Sequence, residues 1–133
     1  MIFRRTTAVA ALLAAVSVQA VAQTRAAEPE TVMITLRAKP GSEADLARVI
    51  ERHWSTARAL NLVVPDPHVT LRAVEDGGKT YFVEVFTWRD AAIPDAAPPA
   101  IQAIWAEMNR LVEPRGGKPG LTFTAVSLLS NPR

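Results

Sequence analysis

Apolar and polar side chains alternate along several segments of this chain, and such alternation is typical of half-buried β-strands. The predicted strands are residues 31–38, 68–74, 80–88 and 121–129. Between the second and third strands, Glu75–Lys79 contains paired glycines, which permit the positive φ angles of a tight turn. The second and third strands are therefore predicted to form a hairpin.

Two other segments carry apolar residues at three- and four-residue steps, the pattern of an amphipathic helix. The first begins at Ser42, a favourable N-cap residue with Asp45 three positions later, as in a capping box. It is expected to end at Asn61. The second opens at Pro98-Pro99, where missing backbone N–H groups cost least.

The predicted order of elements is β-α-β-β-α-β. Right-handed crossovers then give an α+β, ferredoxin-like fold, with a four-stranded antiparallel sheet and both helices on one face. In that layout the first and third strands are central and the second strand lies at an edge.

The first 22 residues have the order of a secretory signal peptide. Arg4 and Arg5 precede an apolar run over 8–18, and Ala20-Val21-Ala22 offers small residues for cleavage. The run is roughly half of the ~20 residues that a membrane-spanning helix needs, so a cleaved leader is favoured over an anchor. We therefore expect a periplasmic or secreted protein, with a flexible lead-in over 23–30 and one domain over 31–129.

Composition narrows the possible chemistry. The chain has no cysteine, which excludes thiol catalysis, cysteine-ligated metals and a lipid-anchored lipoprotein. Loss of Arg4 and Arg5 lowers the count of Lys and Arg from 15 to 13, equal to the 13 acidic residues. Neither a basic patch for nucleic acid nor a cationic amphipathic helix for a membrane surface is then expected. Two histidines without metal-ligand spacing, and no cofactor-binding motif, predict neither a metal nor a cofactor.

The two faces of the predicted sheet differ in character. The face covered by the helices is expected to hold Val32, Ile34, Leu36, Val69, Leu71, Val83 and Val85. The uncovered face would show Met33, Thr35, Arg37, His68, Thr70, Arg72, Phe82, Glu84, Phe86 and Trp88. Because monomers rarely expose so large an apolar patch, we expect a homodimer whose sheets face each other and enclose a pocket.

The stretch Glu84-Val85-Phe86-Thr87-Trp88, followed by Ala97-Pro98-Pro99 and Ile104–Met108, resembles a group of exported bacterial proteins of unassigned activity. Element order, size and the aromatic third strand resemble the dimeric α/β-barrel superfamily, including antibiotic-biosynthesis-monooxygenase-like domains. The likeness spans about residues 31–129. It implies a homodimer with a pocket between sheet and helices or inside the barrel.

Members of that superfamily include cofactor-independent oxygenases of polycyclic phenols and haem-degrading enzymes. The haem-degrading branch uses an Asn on the first strand, and a Trp and a His on the second helix. This chain has no Asn on the first predicted strand and no His on the second predicted helix. The resemblance therefore carries over only Trp88, as a wall of the pocket.

Three residues are candidates for a catalytic base. His53 lies in the apolar stripe of the first helix, and is either a general base or a core histidine. His68 begins the second strand, facing either the pocket mouth or water. Glu84 lies between Phe82 and Phe86, where a carboxylate needs a partner or takes up a proton. It either forms an ion pair across the sheet or accepts a proton from a bound substrate.

Other residues are assigned to binding or packing. Arg37, Arg72, Phe82, Phe86 and Trp88 are the predicted ligand-binding residues. Trp54 and Trp105 are expected to pack in or beside the core, and the segment 115–118 to be a flexible loop rather than an anion site.

Three functions remain open. The first is an exported homodimer that binds a small, perhaps aromatic, ligand. The second is a cofactor-independent monooxygenase-like enzyme acting on an aromatic substrate. The third is a protein-interaction module that uses its open sheet face.

Overall fold

The computed structural model describes residues 27–129 and follows the predicted order of elements. The elements are β1 (Glu30–Arg37), α1 (Glu43–Ala59), β2 (Val63–Val74), β3 (Thr80–Trp88), a 3₁₀ turn (Ile93–Ala96), α2 (Pro99–Leu111) and β4 (Leu121–Ala125). The predicted signal peptide, residues 1–22, lies outside the described residues. Within 27–129 no helix is both long and apolar enough to cross a bilayer.

The four strands form one antiparallel sheet in the order β2-β3-β1-β4. This confirms β1 and β3 as the central strands and β2 as an edge strand. The two helices pack against each other and against the sheet, and their buried side chains join those of β1 and β3 in a single core. The fold is therefore ferredoxin-like α+β, as predicted.

The ends of the helices show which local signals act. Ser42 precedes α1, but its side chain makes no capping hydrogen bond. Its carbonyl accepts from the Leu46 N–H at 2.9 Å, and Asp45 pairs with Arg48 rather than closing a capping box. Asn61 has φ +57°, a left-handed conformation in which asparagine is favoured, just past the end of α1.

The hairpin between β2 and β3 is confirmed. The Glu75 N–H donates to the Lys79 carbonyl at 2.8 Å, and Gly77 and Gly78 have φ of +94° and +81°. Residues with a Cβ rarely adopt such angles, so the paired glycines allow the turn. It aligns β2 with β3 from Val74 opposite Thr80 onward.

Two strands differ in length from the prediction. β2 begins at Val63 rather than His68, and the register shifts between these residues, in the segment that contains Pro65 and Pro67. Proline cannot donate to a ladder, and an edge strand such as β2 tolerates the loss. β4 ends at Ala125, four residues before the predicted end.

The side of β3 that lies under the helices was predicted wrongly. In the register, Val32 lies opposite Phe86 and Ile34 opposite Glu84, so the even-numbered residues of β1 and β3 share a face. That face lies under the helices, where Phe86 and Glu84 are both 0% exposed. Large aromatic rings bury more apolar area than valine, which favours this phase of β3 over the one predicted.

The uncovered face carries smaller apolar side chains than predicted. Along β3 and β1 it holds Val83 and Val85, which lie opposite Thr35 and Met33 and are half-buried. Along β2 it holds Leu71, which was predicted to be in the core and is 54% exposed. An apolar face therefore remains, built from valine, leucine and methionine rather than phenylalanine and tryptophan.

Candidate functional site

The three candidate bases come together beneath the helices, although they lie on α1, β2 and β3. The His53 Nδ1 atom is 3.5 Å from Glu84 Oε1, and the His68 Nε2 atom is 3.7 Å from the same oxygen. The side chains of His53 and Glu84 are 1% and 0% exposed, whereas that of His68 is 24% exposed. We call His53, Glu84 and His68 the His–Glu cluster.

Trp105 determines which nitrogen of His53 carries the proton. Its indole N–H donates to His53 Nε2 at 3.1 Å. An indole nitrogen is only a donor, so Nε2 must accept and neutral His53 must hold its proton on Nδ1. Nδ1 is the His53 nitrogen that lies 3.5 Å from Glu84 Oε1, and Trp105, predicted only to pack, has a polar role as well.

Glu84 is held at ion-pair distance without hydrogen-bond geometry. Both of its carboxylate oxygens and His53 Nδ1 are buried, and none has a hydrogen-bond partner among the described residues. A buried carboxyl group without partners is costly, whereas a nearby donor or a shared proton lowers that cost. The His–Glu cluster thus brings two imidazole rings within 3.7 Å of one buried carboxylate oxygen.

His68 is the member of the cluster that reaches solvent. It stacks on Trp54 with ring centroids 3.7 Å apart and planes 2° from parallel. Burial lowers the pKa of His68 from its ordinary 6.5, and the pull of Glu84 in the opposite direction only partly offsets this. His68 is therefore mainly neutral at neutral pH and able to accept a proton.

Within 27–129, no set of three His, Cys, Asp or Glu side chains is arranged to hold a metal ion. In the His–Glu cluster, the Nε2 lone pair of His53 is already occupied, because it accepts from the Trp105 N–H.

A cleft of about 310 Å³ lies beside the cluster, between the sheet and α2. It is lined mainly by apolar groups, among them Val32, Ile34, Trp88, Trp105, Met108 and Phe123. Glu30, Asp95 and Asn109 supply polar groups to the same lining. Phe123 is 71% exposed, so its aromatic ring is available for contact with a ligand. The volume and the lining fit a small ligand.

Trp105 links the cleft to the His–Glu cluster. Its ring is a wall of the cleft, while its N–H binds His53. The Trp88 ring is perpendicular to Trp105, with centroids 6.3 Å apart, and lies 6.2 Å from the His53 ring. A ligand against these two indoles would therefore be one side chain away from His53.

The predicted ligand-binding residues do not lie together. Trp88 lines the cleft. Phe82 and Phe86 are core residues at 5% and 0% exposure, because β3 turns them under the helices. Arg72 is exposed on β2, on the helix side of the sheet, opposite Phe82.

Arg37 lies on the other face of the sheet from Glu84, since its position on β1 is odd-numbered. It is 8% exposed, donates to the Pro119 carbonyl at 2.8 Å and lies 3.8 Å from Glu75. The prediction that Arg37 shares a face with Glu84 was wrong, and its contacts stabilise the loop before β4.

The segment 115–118 is held in place by Arg115, which sequence reasoning treated as part of a flexible loop. Its guanidinium donates to the carbonyls of Ala38 and Thr80 and pairs with Glu75 and Glu113. A positive φ at Gly116 and Gly117 shapes the turn. The guanidinium is thereby occupied by protein groups rather than available to an anion.

No protein-family model matches the chain, and no curated protein matches it. Solved structures do match. SnoaB, a cofactor-independent oxygenase from Streptomyces nogalater, has a TM-score of 0.58 at 15% identity, covering 79% of this chain and 97% of that one. An antibiotic biosynthesis monooxygenase has a TM-score of 0.56 at 14% identity, covering 77% and 100%.

Rv0793 from Mycobacterium tuberculosis is a third match, with a TM-score of 0.52 at 15% identity, covering 78% of this chain and 98% of that one. Identities this low show the fold alone. On that basis, the protein shares with these three solved structures the ferredoxin-like α+β fold.

Proposed function

We propose that the protein is an exported homodimer that binds a small, flat, apolar ligand in the cleft between α2 and the sheet. The observation that carries this proposal is the pair of indole rings, Trp88 and Trp105, that wall a cleft of about 310 Å³. Flat aromatic ligands suit such walls, because offset or edge-to-face ring contacts add to the free energy of burial. The polar lining groups Asp95 and Asn109 would orient one hydroxyl or carbonyl of the ligand.

Filling the cleft should weaken ligand binding. Asn109 is exposed on α2 and lines the cleft, so Asn109→Phe places a ring in the ligand's space without disturbing the core. We expect calorimetric titration with naphthol to show at least a tenfold weaker Kd, about 1.4 kcal/mol. Ala103→Phe, exposed on the same helix and outside the lining, is the matched control and should bind like the wild type. Equal binding by both variants would contradict the cleft as the site.

The homodimer is proposed from the uncovered sheet face. Leu71 at 54% and Val69 at 43% exposure continue the half-buried valines of β3 into one apolar surface. A second copy, placed face to face by a two-fold axis, would cover it. The predicted leader supports export, and the same dimer would then form in the periplasm or outside the cell.

Sedimentation velocity tests the dimer. The wild-type chain without its leader should sediment at twice the protomer mass, and Leu71→Asp should shift it to the protomer. Val74→Asp, on the same strand but in the other side-chain phase and 61% exposed, should remain dimeric. If the wild-type chain sediments as a protomer, its sheet face is uncovered, and the alternative of a protein-interaction module is favoured.

A cofactor-independent oxygenase is the second candidate, and the His–Glu cluster next to the cleft favours it. A basic group that removes a proton from an activated CH₂ would leave a carbanion, which can pass an electron to O₂. Recombination at carbon and loss of water place one oxygen atom in a new carbonyl and the other in water. SnoaB is described as an oxygenase of this cofactor-independent kind.

Oxygen uptake with anthrone tests that candidate. Wild-type protein should consume one O₂ for each anthrone oxidised, and Glu84→Gln should slow this by about 100-fold if the cluster supplies the base. Glu107→Gln, a surface carboxylate paired with Arg52, is the control and should retain the rate. No uptake by the wild type would leave the protein a binder rather than an oxygenase.

A further inference from the structure

Trp105 occupies the position at which a ligand's proton would meet His53. Its N–H points at the Nε2 lone pair from 3.1 Å, and its ring forms the wall of the cleft. A ligand hydroxyl that displaced this N–H would find the same lone pair. Behind it, His53 Nδ1 faces Glu84, the arrangement in which a carboxylate orients an imidazole base and stabilises its charged form.

The other side of Glu84 leads to solvent. His68 Nε2 approaches the same carboxylate oxygen, Oε1, that faces His53. The side chain of His68 is partly exposed and is held by its stack on Trp54. Three groups able to exchange protons therefore stand in line, from the wall of the cleft to the surface of β2.

We propose that His53, Glu84 and His68 form a proton-transfer path that Trp105 keeps closed until a ligand with an acidic hydroxyl enters the cleft. This deepens the proposed ligand binding and rests on it. Trp105 is the gate, Glu84 carries the proton between the two histidines, and His68 is the outlet to solvent.

The ligand O–H bond breaks and its proton forms a new N–H bond at His53 Nε2, which leaves the ligand as an anion in the cleft. The proton on His53 Nδ1 passes to Glu84 Oε1, which returns His53 to a neutral state with its proton on Nε2. Glu84 then gives the proton to His68 Nε2, and His68 releases a proton to water.

The neutral state of His68 suits its place at the end of the path. Burial lowers the pKa of His68, so the imidazole is free to accept a proton from Glu84 and does not retain it at neutral pH. The charge of Glu84 raises the pKa of His68, whereas that of His53 lowers it. Both effects come from groups within the path.

Nuclear magnetic resonance of the imidazole nitrogens tests the proposal in the protein with its leader removed. Without ligand, His53 should show one tautomer, protonated on Nδ1 and bare on Nε2. Trp105→Phe removes the capping N–H and should produce a mixture of tautomers. A single unchanged tautomer in Trp105→Phe would overturn the role of Trp105 as the gate.

Two ligands of similar shape provide the second readout. Naphthol carries an acidic hydroxyl, and methoxynaphthalene does not. Both should shift the Trp88 indole signal, but only naphthol should move His53 Nε2 toward its protonated position. Binding of both without any change at His53 would overturn the path and leave the proposed binding intact, whereas failure of both to bind would remove both proposals.

Single variants distinguish a role in proton transfer from a purely structural role. Glu84→Gln keeps a similar shape without the charge, so naphthol should still shift Trp88 while the protonation of His53 Nε2 falls at least tenfold. His68→Gln should slow exchange of the His53 Nδ1 proton with water by a similar factor. Asp76→Asn, exposed in the hairpin that follows β2, is the control and should leave exchange unchanged. If the His53 Nδ1 proton exchanges with water in His68→Gln as fast as in the wild type, the result would contradict the role of His68 as the outlet to solvent.

Discussion

Truncating His53 to alanine is expected to destabilise the fold by about 3–5 kcal/mol. His53 is 1% exposed, so its loss opens a cavity in the core. The change also leaves the Trp105 N–H without its acceptor and the Glu84 carboxyl without its nearest nitrogen on α1. Urea unfolding followed by circular dichroism, at one fixed protein concentration, measures the change in the free energy of unfolding.

Arg52 provides the control for His53, because it precedes it on α1 but points outward to Glu107. Exposed ion pairs contribute little, so Arg52→Ala should change the free energy of unfolding by less than about 1 kcal/mol. A His53→Ala loss as small as that of Arg52→Ala would show that the His–Glu cluster does not help to hold the core together.

Phe86→Ala should destabilise the protein by about 3–5 kcal/mol. Phe86 is 0% exposed and packs edge-on against Trp88 at 4.8 Å and against His53 at 5.6 Å. Its removal therefore withdraws support from a wall of the cleft as well as from the core. We expect a lower urea midpoint together with a shift in tryptophan fluorescence.

Leu71→Ala is the comparison for Phe86→Ala, because the two positions exchange places between the predicted and the observed sheet. In the protomer, Leu71 is 54% exposed on the uncovered face, so its truncation should cost less than about 1 kcal/mol when unfolding is measured at a concentration too low for dimers to form. The opposite ranking, with Leu71 the more costly, would mean that the observed phase of β3 is wrong.

The order of elements was predictable because each carries a local signal. The bounds of β3 match their prediction, since a hairpin precedes it and the alternation persists through Trp88. Asn61 and Pro98 stand at the ends of helices as expected. β2 was predicted too short, because prolines suggest a break and only the pairing of Val63 with Trp88 reveals an edge strand.

The phase of β3 could not be read from its own residues. Both faces are apolar, one with Val83 and Val85 and the other with Phe86 and Trp88 around Glu84. The prediction placed the valine face under the helices and left the aromatic face, with Glu84, uncovered. The pairing with β1 decides otherwise, and Glu84 is accommodated because His53 and His68 meet it from two other elements.

Sequence reasoning named the three candidate bases as separate residues and did not foresee that they meet. Nothing in the spacing of His53, His68 and Glu84 indicates that they converge on one carboxylate oxygen. Trp105 was the least predictable residue of the site, because its apolar helix position suggests packing. Only the direction of its N–H shows the contact with His53. An indole at a core edge needs a polar partner, which is the signal that would have found it.

The central claim is that a ligand binds between Trp88 and Trp105, and the indole N–H signals test it most directly. The chain has three tryptophans, so a nitrogen-labelled sample gives three such signals. Titration with naphthol should move those of Trp88 and Trp105 and leave Trp54, which stacks on His68 away from the cleft lining, unchanged. Movement of Trp54 alone, or of none of the three at saturating naphthol, would contradict the account.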